Sequence, residues 1–208
     1  MEPAEDSPAL AERYRAARYT TFDNVMPAEW IGAAGEWLHS QRGLFTRGGD
    51  DGRGKFNFEL PDVDDLYAPI GQLKAAIASH ISDAVKQIGT ADFDLGGLDC
   101  HAALYHHGGH YAWHTDAPLP TTQGLAYALY LHSSPKMFRG GELEFLDGTM
   151  VDPTNNRLVM FDPHQQHRVR RVECWSADFL HGRWALFGWV HGQPPGSTEH
   201  LSGKPLSG

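Results

Sequence analysis

The sequence predicts an α+β protein with its helices first and an antiparallel β-core after them. Three observations predict it. Apolar residues at helical spacing are confined to the stretch before residue 90. From Leu98 the period becomes two, with Leu98, Cys100, Ala102 and Leu104 alternating with Asp99, His101 and Ala103. Short apolar runs broken by turn residues then recur to Val190. Such a division places helices on one face of an antiparallel sheet.

Taken in order, residues 1–20 are polar and read as an N-terminal extension, with some helical content around Ala9–Ala17. A helix start is legible at Asn24, with Pro27 in the first turn and Glu29 behind it. Trp30, Ile31, Ala34, Trp37 and Leu38 keep helical spacing, and Gly43 is the stop. Thr46–Gly54 (TRGGDDGRG) is glycine-rich and charged and reads as a surface loop, or a lid near a substrate site. The clearest helix spans 64–88, where Leu66, Ile70, Leu73, Ile77, Ile81, Val85 and Ile88 form one stripe closed by Gly89. Beyond the strand at Leu98, further strands are predicted at Gly124–His132, Gly141–Leu146, Thr149–Val151, Arg157–Asp162, His167–Glu173 and Trp184–Val190. Asp147-Gly148 signals a type I′ hairpin turn. The Pro, Gly and Ser content of residues 193–208 predicts a disordered tail, leaving a single domain over 21–192.

Composition narrows the function classes. The chain has 208 residues, 41% hydrophobic and 21% charged, and carries a net charge of −9. That balance argues against affinity built on neutralising phosphates, so no nucleic-acid partner is expected. Cys100 and Cys174 form no CxxC and no disulfide framework. The start, MEPAEDSPAL, lacks an apolar signal region, and no apolar run approaches a membrane span. A cytoplasmic protein without a membrane partner is expected.

The chemistry centres on Tyr105–Asp116, YHHGGHYAWHTD. On a strand, residues i and i+2 share a face, so His114 and Asp116 project together while Thr115 points away. One imidazole and one carboxylate are two thirds of the facial triad that holds non-heme Fe(II). A third ligand must come from a strand returning to the same place. His167, followed at i+2 by Val169, suits that role, and His164 competes for it. Arg183 opens an otherwise apolar strand, and its planar fork suits a carboxylate.

The order of these motifs resembles the double-stranded β-helix (jelly-roll, cupin-like) core of the Fe(II)- and 2-oxoglutarate-dependent dioxygenases, in particular their prolyl 4-hydroxylase-like branch. The match runs over about 98–191. It is carried by Tyr105, Gly109 and Tyr111 before His114-Thr115-Asp116, then Tyr130-Leu131 and Gly140-Gly141-Glu142-Leu143. It continues with Arg157–Phe161, His167-Arg168-Val169, Gly182-Arg183 and Trp189. The resemblance implies that His114, Asp116 and His167 bind Fe(II) and that Arg183 pairs with the distal carboxylate of 2-oxoglutarate. It puts the Tyr130 hydroxyl on that carboxylate, Tyr105 on the co-substrate side and Tyr111 on the approach to the iron. Fe(II), 2-oxoglutarate and O2 are thereby implied, with ascorbate as an accessory reductant. No catalytic residue is expected beyond the metal centre.

The implied reaction hydroxylates an unactivated C–H bond, releasing succinate and CO2. Asp116 favours hydroxylation, because related halogenases lack a carboxylate at that position. The expected substrate is a prolyl or other residue in a protein or peptide; the alternative is a free amino acid or small natural product. A nucleic-acid demethylase and a non-enzymatic cupin-type binding module rank lower. The sequence departs from the family at His132, where asparagine is common, and in a longer insert over Glu173–His181. The insert makes Arg170 and Arg171 alternatives to Arg183. His106, His107 and His110 crowd the motif and read as loop histidines.

Overall fold

A computed structural model describes residues 16–48, 55–60, 63, 69–116, 124–193 and 196. The expectations for residues 1–15, the glycine-rich loop at 49–54 and most of the tail lie outside them, as do residues 64–68; the long helix expected over 64–88 begins at Ile70, with Pro69 as its N-cap.

Antiparallel pairing organises the chain into two facing sheets. The larger runs β1 (Tyr19–Asp23), β11 (Arg157–Phe161), β7 (Gly124–Leu131), β14 (Arg183–Gln193), β5 (His101–Tyr105) and β3 (Lys55–Leu60). Two strands flank that path: β2 (Thr46–Gly48) pairs with β3, and β4 (Asp94–Leu98) with the far half of β14. The smaller sheet runs β6 (His110–His114), β12 (His167–Val169), β9 (Leu143–Phe145) and β10 (Met150–Val151). Pairing of β3 with both β5 and β6 joins the two. A separate ribbon of β8 (Phe138–Gly140) and β13 (Val172–Cys174) packs Phe138 and Val172 with Ala103, Tyr105 and Val169. This is the expected double-stranded β-helix.

Period-two alternation decides which side chains reach the interior. On β14, Trp184, Leu186 and Val190 face the helices, while Arg183, Ala185, Phe187 and Trp189 line the space between the sheets. Strand β7 is apolar almost throughout because both of its faces are covered: Leu125, Tyr127 and Leu129 on the helix side, Ala126, Ala128 and Tyr130 on the inner side. The helices α1 (Ala28–Ser40) and α2 (Ile70–Ile88) supply Trp30, Ala34, Leu38, Leu73, Ile77 and Val85 to the helix-side core. The α2 stripe is the one the sequence predicts. It ends at Gly89, whose φ of 70° is left-handed and whose N–H donates to the Val85 carbonyl. No helix among the described residues is long and apolar enough to cross a membrane.

Several local expectations are corrected. Helix α1 starts at Ala28 rather than Asn24, because Asn24 takes a φ of 57° and donates its N–H to the Asn156 carbonyl. The polar N-terminal stretch gives its last residues to the sheet: Tyr19 opens β1, and Arg18 pairs with Asp162 at 2.7 Å. Thr46–Gly48 is a strand on β3, not a loop. The strand from Leu98 breaks at Asp99-Cys100, and His167–Glu173 divides at Arg170-Arg171 into strands of different sheets. The turn at Asp147-Gly148 is not type I′. Only Gly148 has positive φ, Gly148 N–H donates to Phe145 O and Phe145 N–H to Thr149 O. That is a three-residue loop closed by a glycine bulge.

Candidate metal centre and its pocket

Strand pairing brings the metal candidates together. His114 ends β6 and His167 opens β12, and the two are directly opposite in register. Asp116 lies past the end of β6 and reaches the same point, its N–H donating to Pro163 O at 3.0 Å. The Nε2 atoms of His114 and His167 are each 3.7 Å from Asp116 Oδ1, and the three ligand atoms lie within 4.8 Å of one another. The other ring nitrogens are committed: His114 Nδ1 contacts Ala112 O at 2.8 Å and His167 Nδ1 contacts Gln165 O at 2.9 Å. A carbonyl only accepts, so both Nδ1 atoms carry the proton and both Nε2 lone pairs point at the shared site. Burial pushes the His167 imidazole down to about 4, keeping it neutral and able to ligate. Tyr111 stacks on the His114 ring at 3.7 Å and Phe161 meets His167 edge-on at 4.8 Å, so neither imidazole can swing freely. One carboxylate and two imidazoles so arranged could hold a divalent metal and leave positions open.

The triad faces a cavity of about 380 Å³ between the sheets. At its other end is Arg183, buried, with its guanidinium between the rings of Tyr105 at 4.9 Å and Tyr130 at 4.7 Å. Its Nε donates to Gly141 O at 2.9 Å, which fixes the fork. That carbonyl sits at the Gly140-Gly141 corner, where φ of 76° and 77° calls for glycine at both positions. Among the described residues no carboxylate forms an ion pair with Arg183. The Tyr130 hydroxyl is buried beside the Arg183 guanidinium and makes no well-formed hydrogen bond. A guanidinium and an unsatisfied hydroxyl at one end of a cavity fit a carboxylate-bearing co-substrate. Burial, the largest influence, pushes both tyrosine hydroxyls above their ordinary value, so they remain donors.

The competing assignments fall away. His164 is exposed and bonded to Asp162 at 3.0 Å, outside the cavity. Arg170 is exposed and engages Glu142 and Glu144, while Arg171 donates to Gly108 O. His106, His107 and His110 bond Asp178 O, Cys174 N and Gly108 O, and none joins the triad. His132 ties down a loop: its Nδ1 meets Ser133 O, and its Nε2 accepts from Asn155 N–H. The long insert supplies a helical turn at Phe179–His181, with Phe179 edge-on to Trp184. Glu59, on β3, lines the cavity and was not singled out by sequence reasoning. Its signal was available, since Phe58 and Leu60 alternate with Asn57 and Glu59.

Comparisons with known proteins agree with this geometry. Residues 100–191 match the family model of the 2OG-Fe(II) oxygenase superfamily. The chain is 25% identical over 133 residues to an uncharacterized PKHD-type hydroxylase of Synechocystis sp.; the match covers 57% of this chain and 44% of that relative's length. A Pseudomonas putida prolyl-4-hydroxylase superposes with a TM-score of 0.65 at 19% identity, over 89% of this chain and 98% of that one. A Trichoplax adhaerens prolyl hydroxylase, solved with a hypoxia inducible factor peptide fragment, gives 0.64 at 19% identity, over 91% and 94%. Residues 100–191 thus resemble the 2OG-Fe(II) oxygenase superfamily, and the double-stranded β-helix is the fold shared with the two prolyl hydroxylases.

Proposed function

We propose that the protein hydroxylates a prolyl or other residue of a protein or peptide, with His114, Asp116 and His167 binding Fe(II) and Arg183, Tyr130 and Tyr105 binding 2-oxoglutarate. The observation that carries this reading is that one cavity holds both sets, the triad on β6 and β12 and the guanidinium on β14. Bound Fe(II), 2-oxoglutarate and O2 supply the oxidising chemistry, with succinate and CO2 as co-products. The chain's own residues position the partners. Arg183, clamped by two tyrosine rings and Gly141 O, holds the distal carboxylate at a fixed depth. The Tyr130 hydroxyl donates to the same group. Tyr111, flat on His114, forms the wall that a substrate passes.

The peptide reading draws on the likeness to a prolyl hydroxylase solved with a peptide fragment. A second reading, the same chemistry on a free amino acid or small natural product, draws on the cavity, whose 380 Å³ suits a small ligand.

Anaerobic Fe(II) titration with and without 2-oxoglutarate, followed by the metal-to-ligand charge-transfer band, tests the site. Wild type develops the band, His167→Ala does not, and Arg183→Ala requires far more 2-oxoglutarate. No band in wild type would overturn the oxygenase reading. Oxygen incorporation into prolyl peptides, read by mass, separates the peptide from the small-molecule reading.

A further inference from the structure

We propose that Arg18 and Gln165 brace the metal centre, acting as positioning residues for His167 and Asp116. The inference rests on the oxygenase reading for the metal that those two side chains would meet. Both take their orientation from one turn. His167 Nδ1–H donates to Gln165 O at 2.9 Å, and the Asp116 N–H donates to Pro163 O at 3.0 Å. That turn, residues 162–166, joins β11 of the larger sheet to β12 of the smaller one. The strand ladders stop at Phe161 and resume at His167, so neither sheet fixes the carbonyls between them. Metal ligands must be held to within about 0.5 Å, which a turn tied only at its ends does not supply.

What fixes the turn is a stretch remote in sequence. The Arg18 N–H donates to Gln165 Oε1 and Gln165 Nε2 donates back to Arg18 O, both at 2.7 Å, which makes a closed amide pair. The same Arg18 carbonyl accepts the Asp162 N–H at 3.1 Å, and the guanidinium meets Asp162 Oδ2 at 2.7 Å. Asp162 is 8% exposed, so this is not one of the surface ion pairs that contribute little. Arg18 is itself anchored. Its Nε and Nη2 donate to Ile88 O at 3.2 Å and Gly89 O at 3.0 Å, at the C-terminal end of α2, where carbonyls lack partners within the helix. A cation there also meets the negative end of the helix dipole. The preceding Ala17 N–H donates to Asp147 Oδ2 at 2.7 Å, in the turn between β9 and β10. Contacts thus run from the end of α2 through Arg18 and Gln165 to the His167 imidazole. The Gln165 side chain sets where its own carbonyl lies, and that carbonyl sets which way Nε2 points.

Metal affinity and ring state test this without turnover. Co(II) is titrated anaerobically into wild type, Gln165→Met, Arg18→Met, Arg18→Lys and, as a stability control, Ile77→Ala. All are held below their melting temperatures, and binding is read from the d–d absorption. The His167 tautomer is read separately on the metal-free proteins, by NMR of the ring nitrogens. Gln165→Met and Arg18→Met are expected to bind Co(II) about tenfold more weakly than wild type, the low end of what partners supporting a metal ligand contribute. Gln165→Met also loses the single Nδ1–H tautomer. Arg18→Lys keeps a cation for Asp162 but no fork, and falls between Arg18→Met and wild type. Ile77→Ala melts lower and keeps wild-type affinity. Wild-type affinity and tautomer in Gln165→Met overturn the proposal, as does a loss no larger than that of Ile77→Ala. Should Gln165→Met not fold, wild-type affinity in Arg18→Lys overturns it equally. The charge-transfer titration separates the two readings. A wild type without the band, whose His167 tautomer nonetheless depends on Gln165, defeats the oxygenase reading alone. A band of equal strength in wild type and both methionine variants at limiting Fe(II) defeats the brace alone.

Discussion

Tyr130 shows at the residue scale how this chain divides stability from binding. Its ring packs in the inter-sheet core, yet its hydroxyl is buried beside the Arg183 guanidinium without a well-formed hydrogen bond. A buried unsatisfied hydroxyl costs about 1–3 kcal/mol, whereas a hydrogen bond to a charged group contributes about 1.5–3 kcal/mol. Tyr130→Phe is therefore expected to leave the urea midpoint unchanged or raised while 2-oxoglutarate binding weakens about tenfold or more. A fall in the midpoint with unchanged 2-oxoglutarate affinity would assign the hydroxyl to the fold instead. His114 and His167 follow the same economy, since each spends Nδ1 on a carbonyl of its own strand or turn and turns Nε2 toward Asp116.

Elements set how these residues meet. Helix α2 packs on β1 and β11 and braces them from outside. Ile77, fully buried on its stripe, is expected to cost about 2–5 kcal/mol when cut to alanine. Below the lowered melting temperature, Ile77→Ala should still show the charge-transfer band, which separates bracing from chemistry. Gly89 makes a sharper local test. Its left-handed φ of 70° predicts a loss of about 1–2 kcal/mol for Gly89→Ala, read as a lower melting temperature. Open space around its Cβ position means that the loss is conformational, not steric.

Asp99 joins elements far apart in the chain and so acts at the scale of the whole molecule. Its Oδ1 accepts the Trp189 N–H at 2.7 Å, its Oδ2 meets His191 Nε2 at 3.2 Å, and its backbone carbonyl accepts from the Tyr127 hydroxyl. Burial alone would raise its pKa, but hydrogen bonds from His101, the Trp189 N–H and His191 outweigh it and hold the carboxyl at about 2. The folded value lies below the ordinary 3.8, so the unfolded chain binds more protons between the two. This stabilisation is complete above pH 3.8 and is lost as pH falls toward 2. Denaturant midpoints across that window should drop in wild type and drop less in Asp99→Asn. Equal slopes would remove Asp99 from the acid response.

Much of this was legible in the sequence wherever one residue's neighbours along the chain decide its state. The α2 stripe and its glycine stop, the β7 and β11 runs, the His-x-Asp pair and the arginine opening β14 all depend on local periodicity or on residue chemistry. Strands β1, β3 and β8 were not legible, because each is short and gains its hydrogen bonds from partners remote in sequence, and β2 forms only against β3. The start of α1 was misread for the same reason: Asn24 has the chemistry of a cap, but a contact with Asn156 bends the chain there instead. By itself the sequence offered the kinds of side chain, since imidazole, carboxylate and guanidinium carry their chemistry wherever they sit. Only the tertiary structure brings His167 rather than His164 beside His114 and Asp116, and puts Arg183 and Glu59, rather than Arg170 or Arg171, on the cavity. Those choices depend on strand register across two sheets, and register is fixed by which faces are buried when the strands pair.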